Sequence, residues 1–247
     1  MPAPFRAARA ALAGAAALLL AVPALTAQTP APASTEVRYV RDAAEYAALT
    51  RQVYREALAA VNDADRARMR GPWAVVLDLD ETVLDNSTYQ LERAAYHADF
   101  DEASWNAWVE REESGLVPGV VEFISGVRRL GGHVAWISNR SEATRAATTL
   151  NLQRFSLWND TDRLCLATDS TYPKRVRRTE VVTGHGNCSW AGTPTPVVAY
   201  VGDQMGDFPA TGESDPDAGK DEAFGRRYFI LPNPMYGAWL TRVTRQR

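Results

Sequence analysis

The chain is poor in the side chains that most often bind soft metals or carry redox chemistry: in 247 residues it has two cysteines, Cys165 and Cys188, and three histidines, His97, His133 and His185. Two isolated cysteines do not make a zinc site, and the histidines show no pattern for phosphoryl transfer through imidazole. In an oxidising compartment the two thiols either close a loop of about two dozen residues, contributing about 3 kcal/mol, or stay free, one of them inside the apolar run "LCLA". Spacing alone leaves both open. Excess positive charge is also missing. Lys and Arg number 27 against 30 Asp and Glu, a formal charge of −3, whereas a general nucleic-acid binder needs a basic surface. The one basic cluster is "PKRVRR", Pro173 to Arg178. No internal repeat is visible.

Nor does the chain hold an apolar run of the roughly 20 residues that cross a bilayer. The most apolar stretch, Ala11 to Ala27, follows Arg6 and Arg9, weakens at Pro23 and ends in small residues. That is the pattern of a secretory signal peptide, cut after Ala24 or Ala27. The expected leader is residues 1–27, and its loss removes two arginines and no acid, taking the formal charge from −3 to −5. No cysteine lies near the cut, which argues against lipid attachment. The following "QTPAPAST" reads as a disordered tether over residues 28–37. A periplasmic or secreted protein without a permanent membrane anchor is expected.

What the sequence does contain is alternation. Tyr46, Leu49, Val53, Ala57 and Ala60 form a helical stripe between Asp42 and Val61. Strand-like runs follow at Ala74–Leu79, His133–Ser138, Leu164–Ala167, Val197–Val201 and Tyr228–Leu231, separated by helix signals. The clearest helix opens at Pro118 and stops at Gly131-Gly132. Short apolar strands between helices predict an α/β fold, a parallel sheet covered on both faces, with its ligand beyond the carboxyl ends of the strands. Residues 86–117, rich in Tyr and Trp, form an insertion expected to lie over that place as a mainly helical cap; residues 38–247 make up the whole domain.

The strand ends carry polar residues consistently. "WAVVLDLDETVLDN" begins apolar and ends in Asp78, Asp80, Glu81 and Asp85; the second strand ends in Ser138-Asn139-Arg140 and the fourth in "GDQMGD", Gly202 to Asp207. Side chains two apart on a strand point the same way, so Asp78 and Asp80 project together, and neighbouring carboxylates repel unless a cation lies between them. With Asp203 from another strand end, the oxygen-only donor set suits Mg²⁺. An acid in line with a bound phosphate can attack phosphorus, and a second can protonate the leaving alkoxide and later activate water. Asp78 is read as nucleophile and Asp80 as general acid and base. Ser138, the Asn139 backbone and a lysine would hold the remaining phosphoryl oxygens.

The ordered set Asp78-Leu79-Asp80-Glu81-Thr82-Val83, Ser138-Asn139-Arg140, Lys174 and Gly202-Asp203-Gln204-Met205-Gly206-Asp207 resembles the haloacid-dehalogenase (HAD) superfamily. More narrowly, "DLDETVLDNSTYQ" and "LPNPMYGAWL" look like the class C, or DDDD, bacterial acid phosphatases. The resemblance implies a three-layer Rossmann-like HAD-type sheet and an exported, Mg²⁺-dependent phosphomonoesterase acting on small phosphate monoesters, 5′-nucleotides among them, with no nucleic-acid polymer as partner. Self-association as a homodimer stays open. It assigns the metal to Asp78, Asp80, Asp203 and Asp207, the last either as ligand or from behind the ligands, and gives Thr82 the ordering of the first loop. Trp105 and Tyr236 fall where family members stack on the substrate's ring; for Trp105, packing beside Trp108 is the competing role. In the third motif Lys174 sits in "PKRVRR", where Arg175 or Arg178 could share its role. The segment Thr183 to Pro196 reads as an insertion loop without assigned function. The alternative reading is a binding protein of the same fold that does not turn over its ligand.

Overall fold

The computed structural model describes residues 1, 33–64 and 71–241; the expected leader beyond Met1 and the first half of the tether, 28–32, lie outside them. In chain order the strands are β1 (Ala74–Leu77), β2 (Leu84–Asp85), β3 (Gly115–Leu116), β4 (His133–Ser141), β5 (Arg163–Ala167), β6 (Val197–Gly202) and β7 (Tyr228–Ile230). The helices are α1 (Thr35–Asp42), α2 (Ala44–Asp63), α3 (Ser87–Ala95), α4 (Glu102–Glu110), α5 (Val120–Arg129), α6 (Arg145–Arg154) and α7 (Lys174–Thr183).

Every residue of β1 and of β6 is buried, as a strand covered on both faces requires. Alternation along β1 divides the core. Val75 and Leu77 join Tyr54, Phe123 and Trp136 on the face covered by α2 and α5, whereas Ala74 and Val76 join Ile137, Val181 and Tyr228 on the face covered by α7. The sheet is all parallel in the order β5-β4-β1-β6-β7. Successive strands are laid down to one side of β1 (β4, β5) and then to the other (β6, β7), so its carboxyl end stands at the switch point where open parallel sheets bind ligands. The α/β reading from sequence and the five strand positions are met. β4 runs three residues past the expected end, because Ser141 returns to pair with Ala167 after an irregularity.

Gly119 opens α5 at φ +102°, and a Cβ there would lie 3.0 Å from Arg51 Cα and 3.1 Å from the Tyr54 ring. A glycine is needed both for the left-handed backbone and for the close approach of α5 to α2. The expected tether is shorter than read from composition. Thr35–Asp42 is helical, capped by Ser34, whose hydroxyl accepts from Val37 N, and Arg41 donates to Ser87 and Thr88 of α3.

Residues 86–117 fold as α3 and α4, closed at their base by the antiparallel pair β2–β3. Trp108 of α4 is buried, packs with Tyr89 and Val109, and donates through Nε1 to Asn86 (2.9 Å). Cys165 of β5 is disulfide-bonded to Cys188, with Cα atoms 5.6 Å apart. That bond ties the loop after α7 to the sheet, where Arg163 also donates to Ser189 O and Trp190 to Thr161 O. Among the described residues no helix is long and apolar enough to cross a membrane.

The bridge closes a loop with a sequence separation of 23. Replacing Cys165 with Ala and Cys188 with Ser is expected to lower unfolding free energy by about 3 kcal/mol, read as an earlier urea midpoint with a steeper slope, because the unlinked chain unfolds to a less compact state.

Candidate active site

Asp78 follows β1 directly, and its N–H donates to Val201 O (3.0 Å), so the ladder holds the backbone while the side chain leaves the sheet edge. Asp203 follows β6 in the same way. Asp207 lies four residues on, in a short turn, where its Oδ2 accepts from the backbone N–H of Asp203 (3.1 Å) and Gln204 (2.9 Å). The turn packs so tightly that a Cβ on Gly202 would collide with the Asp207 side chain, which explains the glycine opening "GDQMGD". Asp78, Asp203 and Asp207 each offer an oxygen, all within 4.8 Å of one another, and all three residues are buried.

Lys174, the first residue of α7, enters this cluster and pairs with Asp78 and with Asp207 (2.6 Å to the latter). Thr82 Oγ1 lies 3.4 Å from both Asp78 and Asp203, and Asn233 Nδ2 donates to Asp203 (2.8 Å). Thr82 is itself fixed by Tyr54, whose hydroxyl donates to its carbonyl (2.6 Å).

With the three acids ionised, Lys174 leaves the cluster two charges short of neutral. Burial, the largest influence, pushes the Asp78 carboxyl well above its ordinary pKa; Lys174 opposes this, and Asp207 and Asp203 add to it. Asp203 is raised to about 6 by burial and then by Asp207. For Lys174, burial favours the neutral amine, but Asp207 and Asp78 outweigh it and hold the ammonium charged. A hard, oxygen-only donor set with a deficit of two charges fits a divalent cation such as Mg²⁺.

Asp80 is placed differently from the sequence expectation. Its Oδ1 accepts from Arg140 Nε (2.9 Å) and Nη2 (2.8 Å) and from Asn86 Nδ2 (2.9 Å), and its Oδ2 from Ser138 (3.1 Å). Its carboxylate therefore lies outside the three clustered acids, apart from the others of the four expected from sequence. The cause is Arg140, fully buried at the extended end of β4 and committed to this ion pair. Asp80 still faces the same cavity as Asp78.

That cavity is about 810 Å³. Asp78, Asp80, Asn139, Arg140, Lys174 and Arg177 line it, as do Phe100 and Trp105 from the cap and Tyr172 and Tyr236 from other elements. Trp105 and Trp108 thus part company: the first lines the cavity and the second packs. Ser138 is buried beside the cavity, behind Asp80, rather than on its wall. In the basic cluster, Arg178 pairs with Glu213 and donates to Gly206 O, and Arg175 is exposed. The arginine that reaches the site is Arg177, which sequence reasoning did not single out. Asn86, Asn233 and the partner role of Arg140 were missed as well. Arg140 alone left a signal, as the third residue of the strand-end motif.

A family model described as HAD superfamily, subfamily IIIB (acid phosphatase), matches residues 11–239. The chain belongs to this family. Among solved HAD structures, it superposes on the class C acid phosphatase from Bacillus anthracis with a TM-score of 0.68 at 28% identity, covering 83% of this chain and 84% of that one. The same enzyme with tungstate bound gives 0.67 at 28% identity, with the same coverage. Among curated relatives, acid phosphatase 1 of Solanum lycopersicum is 27% identical over 168 residues and the stem 31 kDa glycoprotein of Glycine max 24% over 167, each alignment covering 65% of this chain. The aligned stretch spans 57% and 58% of the lengths of those two proteins. The HAD fold read from the four motifs is thus matched by a family model, by structure and by sequence.

Two outcomes follow from the geometry. Arg140→Leu strands Asp80 next to a desolvated face and is expected to lower stability by about 3 kcal/mol or more, while the Asp80→Asn/Arg140→Leu double variant recovers part of the loss; chemical denaturation measures both. For Asp203 the folded pKa of about 6 exceeds the ordinary 3.8, so the folded state holds a proton that the unfolded chain releases between those values. Its contribution is full below about pH 4 and is lost as pH rises through about 6. In chelator, melting temperature compared between wild type and Asp203→Asn should show wild type losing ground to the variant between pH 4.5 and 7.

Proposed function

We propose that the protein is an exported, Mg²⁺-dependent phosphomonoesterase that works through a phosphorylated Asp78. The carrying observation is that one cavity presents a buried carboxylate next to a fixed lysine and, two residues along the chain, a second carboxylate held apart from it by Arg140. Environments that separate two acids in this way also separate their roles.

In this reading an oxygen of Asp78 attacks phosphorus as the bond to the ester oxygen breaks, and Asp80 delivers the proton that the leaving alkoxide takes. Asp80 then removes a proton from water as the water attacks the phosphoryl group on Asp78, returning the free carboxylate and inorganic phosphate. Lys174 and the donors of Asn139 balance charge on the phosphoryl oxygens. Asp78, Asp203 and Asp207 would hold the cation; Asp80 would contribute no side-chain oxygen to it. When bound, the ion would neutralise the acids and offset charge on the transferring group. The Bacillus anthracis relative binds tungstate, a tetrahedral oxyanion, which supports oxyanion binding by this fold.

Phe100, Trp105 and Tyr236 give the leaving group an aromatic surface, and a stacked base is worth about 1 to 3 kcal/mol, which favours 5′-nucleotides. Asp169, held ionised by hydrogen bonds from Thr171, and the exposed Glu102 line the outer wall. They disfavour a second phosphate on the leaving group, so nucleoside monophosphates are preferred to diphosphates. The leader pattern and the absence of a lipidation cysteine support a periplasmic or secreted location without a permanent anchor, and a homodimer is compatible with this reading.

With millimolar Mg²⁺ between pH 5 and 8, purified protein should release p-nitrophenol from its phosphate ester. EDTA should abolish release and Mg²⁺ restore it, and Asp78→Asn should fall by at least about 10³-fold. Trp105→Ala should raise KM for 5′-AMP about tenfold and leave the KM for a small alkyl phosphate nearly unchanged. No hydrolysis of any phosphomonoester would favour the binding-protein alternative.

A further inference from the structure

We infer that Arg177 is a positioning residue that fixes which way the Asn139 amide faces the cavity, so that an N–H donor rather than a carbonyl oxygen meets the phosphoryl group. The inference rests on the reading that this cavity holds a phosphate monoester.

Arg177 lies one helical turn after Lys174 on α7, so both reach the sheet edge from one face of the helix. Its side chain is wholly buried. Nη1 donates to the carbonyls of Ser138 (2.5 Å) and Cys165 (2.9 Å), and Nη2 donates to Asn139 Oδ1 (2.8 Å). One guanidinium therefore joins α7 to the carboxyl ends of β4 and β5, next to Asp78, and it sits over the Tyr172 ring at 5.6 Å.

A guanidinium can only donate. The contact at 2.8 Å therefore settles the amide: the oxygen of Asn139 is turned to Arg177 and the NH₂ is left for the cavity, which Asn139 lines. Without Arg177 the amide could rotate and present a lone pair to a phosphoryl oxygen, turning an attraction into a repulsion. Arg177 Nε is buried without a hydrogen-bond partner among the described residues. The side chain is thus held for where its two terminal nitrogens go, at a cost in unmade hydrogen bonding. Lysine would be a poor replacement, because a single ammonium does not span three acceptors in a plane.

The test is the inhibition constant of inorganic phosphate, with steady-state kinetics on p-nitrophenyl phosphate, for the full chain with Mg²⁺. The variants are Asn139→Ala, Asn139→Asp, Arg177→Met, Arg177→Lys and the double Arg177→Met/Asn139→Ala. Asn139→Ala and Arg177→Met should each weaken phosphate about tenfold, and the double variant no more than the worse single one. Asn139→Asp keeps the acceptor for Arg177 but turns an anionic oxygen to the cavity, and should be worse than Asn139→Ala. Arg177→Lys should recover part of the affinity; if Arg177→Met fails to fold, the cycle is run with Arg177→Lys. Losses that multiply in the double variant, with wild-type hydrolysis intact, overturn the positioning role alone. A wild type that neither binds phosphate nor hydrolyses the ester overturns the proposed function and this inference with it.

Discussion

Repulsion among Asp78, Asp203 and Asp207 at one edge of a parallel sheet is the constraint around which the rest of the molecule is arranged. Three oxygens within 4.8 Å, all buried, are tolerated only where positive charge and directed donors are supplied. Lys174 supplies one charge, and the Asn233 amide, the Thr82 hydroxyl and two backbone N–H groups supply donors. Each comes from a different stretch of chain. The order β5-β4-β1-β6-β7 brings those stretches together, since β1 and β6 are neighbours and α7 crosses over the β4 side.

A second ion pair keeps Asp80 distinct from Asp78, the two acids that we propose carry the chemistry. Two carboxylates on one strand end would share an environment if nothing else intervened. Arg140 takes Asp80 out of the cluster, Asn86 holds it from the cap side, and Ser138 closes the remaining oxygen. Asn86 also accepts from Trp108 and from Ser114, so the cap and the acid that we assign to proton transfer are joined through one buried amide. Its position next to α3 and α4 couples packing of the cap to the placement of Asp80.

Much of this was legible in the residues. The five strands stood out because a strand buried on both faces must be apolar throughout, and the acids stood out because they interrupt such runs at their ends. Burial of a basic side chain does not show in that way. Arg177 and Arg178 are both interior, while Arg175 between them and Lys174 is exposed, yet all read alike in "PKRVRR". The role of Arg140 was hidden because β4 extends past Ser138 and turns the next arginine inward. Asn233 reaches Asp203 across 30 positions, a distance at which no local pattern operates. Composition misled at Thr35, where Pro- and Ser-rich chain runs directly into a capped helix.

The most direct measurement of the central claim is calorimetric titration of chelator-treated protein with Mg²⁺ near neutral pH. The account predicts one ion per chain, with binding accompanied by proton release, and loss of that binding in Asp203→Asn. Undisturbed carboxylates that take up no divalent cation, or an affinity the same in wild type and Asp203→Asn, would contradict it.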